Sequence, residues 1–361
     1  MTSQTGNPVS AGAVNAGAEV KLRRVLERAA RHPDLAGIVA RVDRDDSFSW
    51  TGSVGELSPE TRFFIASTTK LYTTAIVLRF IEGGRLTLDD RLVDLVEPGL
   101  VAGLHVRRGI DRTAEIQIRH LLAQTSGLPD YFLGRRPDGG TLERAIRTGS
   151  DTPWLLDDVL DATRRIGPAF APGTPGKALY SDSNFQLLGR VIESVSGHSY
   201  ADALRTEILE PLGLERTWLY VDPADDRPLP LRDGDHRLLI PRAMASFGPD
   251  GGVVATVDDL MTFLRGFFEG ALFDSAVLPS LQTWNRIFFP LQYGVGLARF
   301  KWPRLFSPLA EQPELLGHSG LSGAFAFYAP GRRTYLAGTV NNIAHPDRSF
   351  RLMLALLGAL R

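Results

Sequence analysis

The 361-residue chain is 43% hydrophobic and 22% charged, enough apolar content for one large globular core or two. A formal net charge of -1, with no short basic run, gives no field that would gather nucleic acid or an anionic membrane. Cysteine is absent, which excludes disulfides, thiol catalysis and Cys-ligated metals, and the 7 histidines include no i, i+4 pair, so neither a metal nor another cofactor is expected.

In chain order, residues 1–17 are rich in Gly, Ala, Ser and Asn without periodicity and read as a disordered lead-in. They lack the basic start and apolar run of a secretory signal, and no later stretch approaches a membrane span, so a cytoplasmic protein is expected. Leu22, Val25, Leu26 and Ala29 predict a helix over 18–32. Strands at 37–42 and 47–54 flank a turn at Asp45-Asp46. Helical patterns follow at 71–81, 116–124, 184–195 and 200–209, punctuated by Gly or Pro, and the Pro/Asp-rich stretch 221–235 reads as a loop. Near the end, strands at 323–328 and 334–340 flank Pro330-Gly331, and 350–360 is an apolar helix. Two hairpins and two terminal helices predict an α+β fold: an α/β sandwich with an antiparallel sheet, built from 18–85 and 241–361, plus a mainly helical subdomain over 86–240.

Lysine occurs only at 21, 70, 177 and 301, so each retained lysine invites the question of why arginine would not serve. Lys70 completes the single Ser-x-x-Lys of the chain with Ser67, at the start of a buried helix that ends at Gly83-Gly84. A spacing of three puts both side chains on one helix face, and a hydroxyl with an adjacent amine is a workable nucleophile–base pair. The plain alternative is a helix-capping serine and a surface lysine. Against it, a capping box wants Glu or Gln at the third position, and a cation in the first turn opposes the helix dipole. That field, together with burial, is expected to favour the neutral amine of a general base.

Tyr180 precedes a helix whose stripe is Phe185, Leu188, Ile192 and Val195, with Ser183 and Gln186 read as a capping box and Gly197 as the stop. In isolation Tyr180 reads as packing and Asp182 as a helix cap. His318-Ser319-Gly320 is expected at the entry to a strand, where glycine lets another backbone or a ligand approach. The segment Gly317 to Leu321 misses the nucleophile-elbow pattern at its last position, which argues against an α/β-hydrolase.

Taken in order, Ser67-Thr68-Thr69-Lys70, Tyr180-Ser181-Asp182 and His318-Ser319-Gly320 resemble the three motifs of the serine β-lactamase and penicillin-binding-protein superfamily, in its class C-like branch with D-alanyl-D-alanine carboxypeptidases and esterases. The resemblance covers about residues 36–345 and includes segments at 118–131 and 248–264. It implies a cleft between an α/β domain and a helical domain, Ser67 as nucleophile with Lys70 and Tyr180 relaying its proton, and an acyl-enzyme. It also implies an oxyanion hole from the backbone N–H groups of Ser67 and Leu321, and substrate contacts from Asp182, His318, Ser319, Gly320 and Gln124.

Three positions depart from that pattern. Asp182 lacks the amide donor of asparagine, with Asn184 as an open candidate to replace it; His318 is less cationic than the lysine usual in β-lactamases; Gln124 stands where many relatives have histidine. These departures favour a serine hydrolase of small ester, amide or short peptide substrates, with a biosynthetic acyltransferase as the alternative, over a D,D-peptidase or β-lactamase. A non-catalytic binder would be expected to have lost one of the three reactive side chains, and all are present. Substrate choice is expected from the loops 129–137 and 246–252. The sequence is silent on oligomeric state.

Overall fold

The computed structural model describes residues 11–45, 47–301 and 313–360, with side chains from residue 16 onward. An eight-stranded antiparallel sheet forms its centre, built from β1 (Gly37–Arg44), β2 (Phe48–Gly55), β3 (Asn285–Phe288), β4 (Leu291–Tyr293), β5 (Ala298–Phe300), β6 (Leu315–Ser319), β7 (Ala324–Ala329) and β8 (Thr334–Thr339). Their order is β3-β4-β5-β6-β7-β8-β1-β2, so the first hairpin is added to the edge of the C-terminal strands. The register Val39↔Thr339 joins the two ends of the chain.

Alternation along the strands sends side chains to two covers. On one face Trp50 and the Gly52 position lie against Leu26 of helix α1 (Ala11–Ala29), which packs beside the C-terminal helix. On the other face Arg41 donates to Asp258 at 2.9 Å, at the start of a helix over Val257–Glu269 that covers β1, β7 and β8. The helices that frame the site are α2 (Thr69–Glu82), α3 (Asp182–Ser196), α4 (that same Val257–Glu269 helix) and α5 (Asp347–Ala359), with shorter helices between α2 and α4. A small second sheet of Phe63–Phe64, Val253–Ala255 and Trp218–Leu219 ties the start of α2 to the loop at 248–252.

Several expectations change here. Helix α1 begins at Ala11, inside the stretch read as a lead-in, and docks by Val25, Ala29 and the buried Leu22 and Leu26; residues 1–10 lie outside the described residues, as does Asp46 of the first turn. His318-Ser319-Gly320 stands at the exit of β6, not at a strand entry. Ser183 and Gln186 form no capping box: Ser181 is the N-cap of α3, and Gln186 reaches across to Phe247 O and Asp250 Oδ2 instead. No helix among the described residues is long and apolar enough to cross a membrane.

Candidate active site

Ser67 sits on a single 3-10 turn, Ala66–Thr68, that runs directly into α2. Ala66 adopts φ 45°, a left-handed conformation costly for a residue with a Cβ, so this turn is held by its surroundings. Part of that hold is Gly320, where a Cβ would lie 2.3 Å from Ile65 O and 2.9 Å from Ala66 Cβ. The glycine after His318-Ser319 therefore lets the end of β6 close against the turn bearing Ser67. Further along α2, Thr69 Oγ1 accepts from Val253 N at 3.1 Å and Thr73 Oγ1 donates to Pro249 O at 2.6 Å, which fixes the 248–253 loop beside the same turn.

One turn on, Lys70 is 0% exposed. Its Nζ donates to Ser67 Oγ at 3.2 Å and to Asp250 O at 2.7 Å, and lies 2.7 Å from Asp182 Oδ1. Burial works against its charge, yet Asp182, with a smaller contribution from Asp250, outweighs burial and the ammonium is held above its ordinary pKa. The expectation of a neutral resting amine is thus reversed. Position explains the reversal: Asp182 opens α3, where the helix N-terminus favours a carboxylate, and that end points at Lys70.

Two more carboxyls close the cluster. Burial first, then the Asp182 charge, raises Asp130 to about 8, although its Oδ1 accepts from Phe132 N at 2.7 Å and Leu133 N at 3.1 Å. Asp250 is pushed well above the carboxylate range for the same two reasons; Tyr131 OH donates to its Oδ2 at 2.9 Å. Of the three carboxyls, Asp182 is the one whose side chain touches Lys70 Nζ.

Tyr180 packs its ring edge-on to Tyr293, with centroids 6.2 Å apart, and lies 5.3 Å from Lys70 Nζ. Burial, then the Asp182 charge, pushes its phenol well above the usual range, while a contact with Ser67 acts in the opposite sense. The phenolate is not its resting form. His318, 3% exposed, is pulled down to about 3 by burial and by the Lys70 charge. Its Nδ1 lies 2.8 Å from Ser319 O, so that nitrogen carries the proton and Nε2 is bare.

Ser67, Tyr180, Asp182, His318, Ser319, Gly320 and Leu321 all border one cleft. Gln124 does not. It is fully buried behind the motif, where its Oε1 accepts from Ser181 N at 2.9 Å and from Asn184 Nδ2 at 2.6 Å. Asn184 is consumed there too, since its Oδ1 also accepts from Ser126 Oγ at 2.6 Å, and it supplies no amide in place of the one missing at 182.

Residues 22–360 match the family model described as Beta-lactamase. The chain belongs to the Beta-lactamase family. Penicillin-binding protein 4 of Amycolatopsis lactamdurans is 27% identical to it over 331 residues, which is 82% of this chain and 77% of that protein. Among solved structures, a D-stereospecific amidohydrolase from Streptomyces sp. superposes with a TM-score of 0.74 at 25% identity, covering 92% of this chain and 97% of that one. D-amino acid amidase from Ochrobactrum anthropi SV3 gives 0.77 at 21% identity over 94% and 99%, a likeness of fold.

Within this family member, sequence reasoning missed Asp130, Asp250 and Tyr293. The first two lie in the loops expected to shape the pocket, and the acid between Pro249 and Gly251-Gly252 was a usable signal for one of them. Tyr293 offered none, because β4 is three residues long and shows no periodicity.

Proposed function

We propose that this protein is a serine hydrolase that moves the acyl group of a neutral ester or amide onto Ser67 and then to water. In this reading Ser67 Oγ bonds to the carbonyl carbon while the backbone N–H groups of Ser67 and Leu321 receive the developing oxyanion. The bond to the leaving alcohol or amine breaks, and the leaving group departs with a proton. Water repeats the sequence on the acyl-enzyme and frees the acid and the serine.

The observation that carries the reading is the 3.2 Å contact between Ser67 Oγ and a fully buried Lys70 at the base of a cleft. Because Lys70 is charged at rest, it takes the serine proton only as one of its own passes to Asp182, 2.7 Å away. Tyr180 stays protonated and acts as a donor to the leaving group, its proton replaced through Lys70. Asp182 is thus assigned to proton handling rather than to substrate contact.

Charge argues for neutral substrates. His318 brings no cation to the cleft, Lys70 is held by Asp182 and Arg351 by Asp347, so a substrate carboxylate finds no unpaired cation among the lining residues. Hydrolysis of p-nitrophenyl acetate, of a neutral amino-acid amide and of benzylpenicillin by wild type and Ser67→Ala tests this. Expected are turnover of the neutral substrates, a loss on the order of 10^4-fold or more in Ser67→Ala, and benzylpenicillin as the poorest of the three. Undiminished turnover by Ser67→Ala would overturn the assignment.

A further inference from the structure

The two sides of Ser67 are unequal. On one side a small pocket of about 50 Å³ is lined by Ile146, Leu231, Met244, Phe247 and Ile343, with Glu143 and Arg147 beside them. On the other the cleft opens to about 740 Å³, within the range of drug-sized ligand sites, between the sheet edge and α5. Phe288, Pro290, Leu291 and Phe300 form one wall, and Phe350 and Leu354 of α5 the other. Phe350 stacks on Phe300 with centroids 4.6 Å apart, which joins the walls at the floor. At the mouth Leu133 and Phe288 are 49% and 58% exposed.

Polar groups are confined to two places. One is the reactive end, with Ser67, Tyr180, Asp182, His318 and Ser319. The other is the rim, where Arg351 is paired with Asp347 at 2.9 Å, one turn away on α5. That pairing neutralises the rim cation, so the length of the cleft offers hydrocarbon surface and no net charge to a ligand. An exposed apolar surface continuous with a reactive serine is explained by a ligand that covers it.

Resting on the hydrolase reading above, we infer that the substrate class is an ester or amide with one extended hydrocarbon group, lying between β3–β5 and α5. Each methylene withdrawn from water is worth up to about fourfold in kcat/KM. The polar end recognises only the carbonyl, and chain length supplies the selectivity.

The test is kcat/KM for p-nitrophenyl acetate, butyrate, octanoate and decanoate, all below their micellar concentrations, with Ser67→Ala as background. Wild type is expected to rise at least about tenfold from acetate to octanoate. Leu354→Trp, which fills the cleft, is expected to lower the octanoate-to-acetate ratio by about tenfold, and Phe288→Asp, which places a charge at the exposed mouth, by about threefold. A flat or falling series with Ser67-dependent acetate turnover overturns this inference and leaves the hydrolase reading standing. No Ser67-dependent turnover at any length overturns both.

Discussion

The two walls that meet at Ser67 are built on opposite principles. Behind it, Lys70, Asp130, Asp182 and Asp250 are removed from solvent and held to backbone or to one another at 2.7 to 3.2 Å. In front, the edge strands and α5 present apolar side chains to an open cleft. The first wall is stiff because displacing Lys70 or Asp182 would leave a buried charge without its partner, at a cost of several kcal/mol. The second has no such constraint and its surface can vary in shape without disturbing the charges behind. On the proposed reading, reactivity and selectivity are carried by separate residues, so they should fail separately.

The largest effect expected is from Lys70→Ala. It strands Asp182 as an uncompensated buried anion and should cost about 3–5 kcal/mol of stability as well as activity. The double variant Lys70→Met with Asp182→Asn removes both charges and should recover most of that stability in thermal or urea unfolding, while esterase turnover stays lost. Equal destabilisation in the single and double variants would show that packing, not charge, holds this wall together.

Asp182→Asn alone sharpens the comparison through pH. In wild type the Lys70–Asp182 pair contains its own proton acceptor, so kcat/KM should be level across the neutral range. With asparagine at 182, burial of Lys70 loses its main opponent and the amine pKa falls. The rate should then climb with pH as that amine deprotonates, with KM little changed. A level profile with a raised KM would mean that Asp182 contacts substrate instead.

The smallest effect on turnover is expected from Asp130→Asn, which acts on stability. A carboxyl raised to about 8 in the folded protein and near 4 in the unfolded chain binds a proton on folding between those values. Its stability contribution is complete below about pH 4 and is lost as pH rises toward 8. Asparagine keeps an acceptor for Phe132 N and Leu133 N and removes the loss, so the gain in Tm over wild type should be greater at pH 8 than at pH 4.

Much of this site could be read before folding, for a definite reason. Ser67 and Lys70 are three residues apart on a helix, and Gly320 follows His318-Ser319, so their proximity is a property of local geometry. Lys70's charge state is not local. It depends on Asp182, 112 positions away and delivered by the N-terminus of a different helix, which is why burial alone predicted the wrong protonation state. The sheet shows the same division. The hairpins at 37–55 and 324–339 run six to eight residues per strand around marked turns and were legible, whereas β3, β4 and β5, of four, three and three residues, are too short to register. Those short strands form one wall of the cleft, so the apolar side of the site was the part hidden in the sequence. Gln124 was misplaced, and the role of Asn184 was open, because a buried amide that braces a loop and one that meets a ligand look identical in one dimension.

The most direct test of the account is the intact mass of the protein, with peptide mapping, quenched within seconds of mixing with p-nitrophenyl butyrate. The account predicts a butyryl adduct on Ser67 in wild type, slower to clear in Asp182→Asn at acidic pH, and none in Ser67→Ala. An adduct on another residue, or the same labelling in Ser67→Ala, would contradict it.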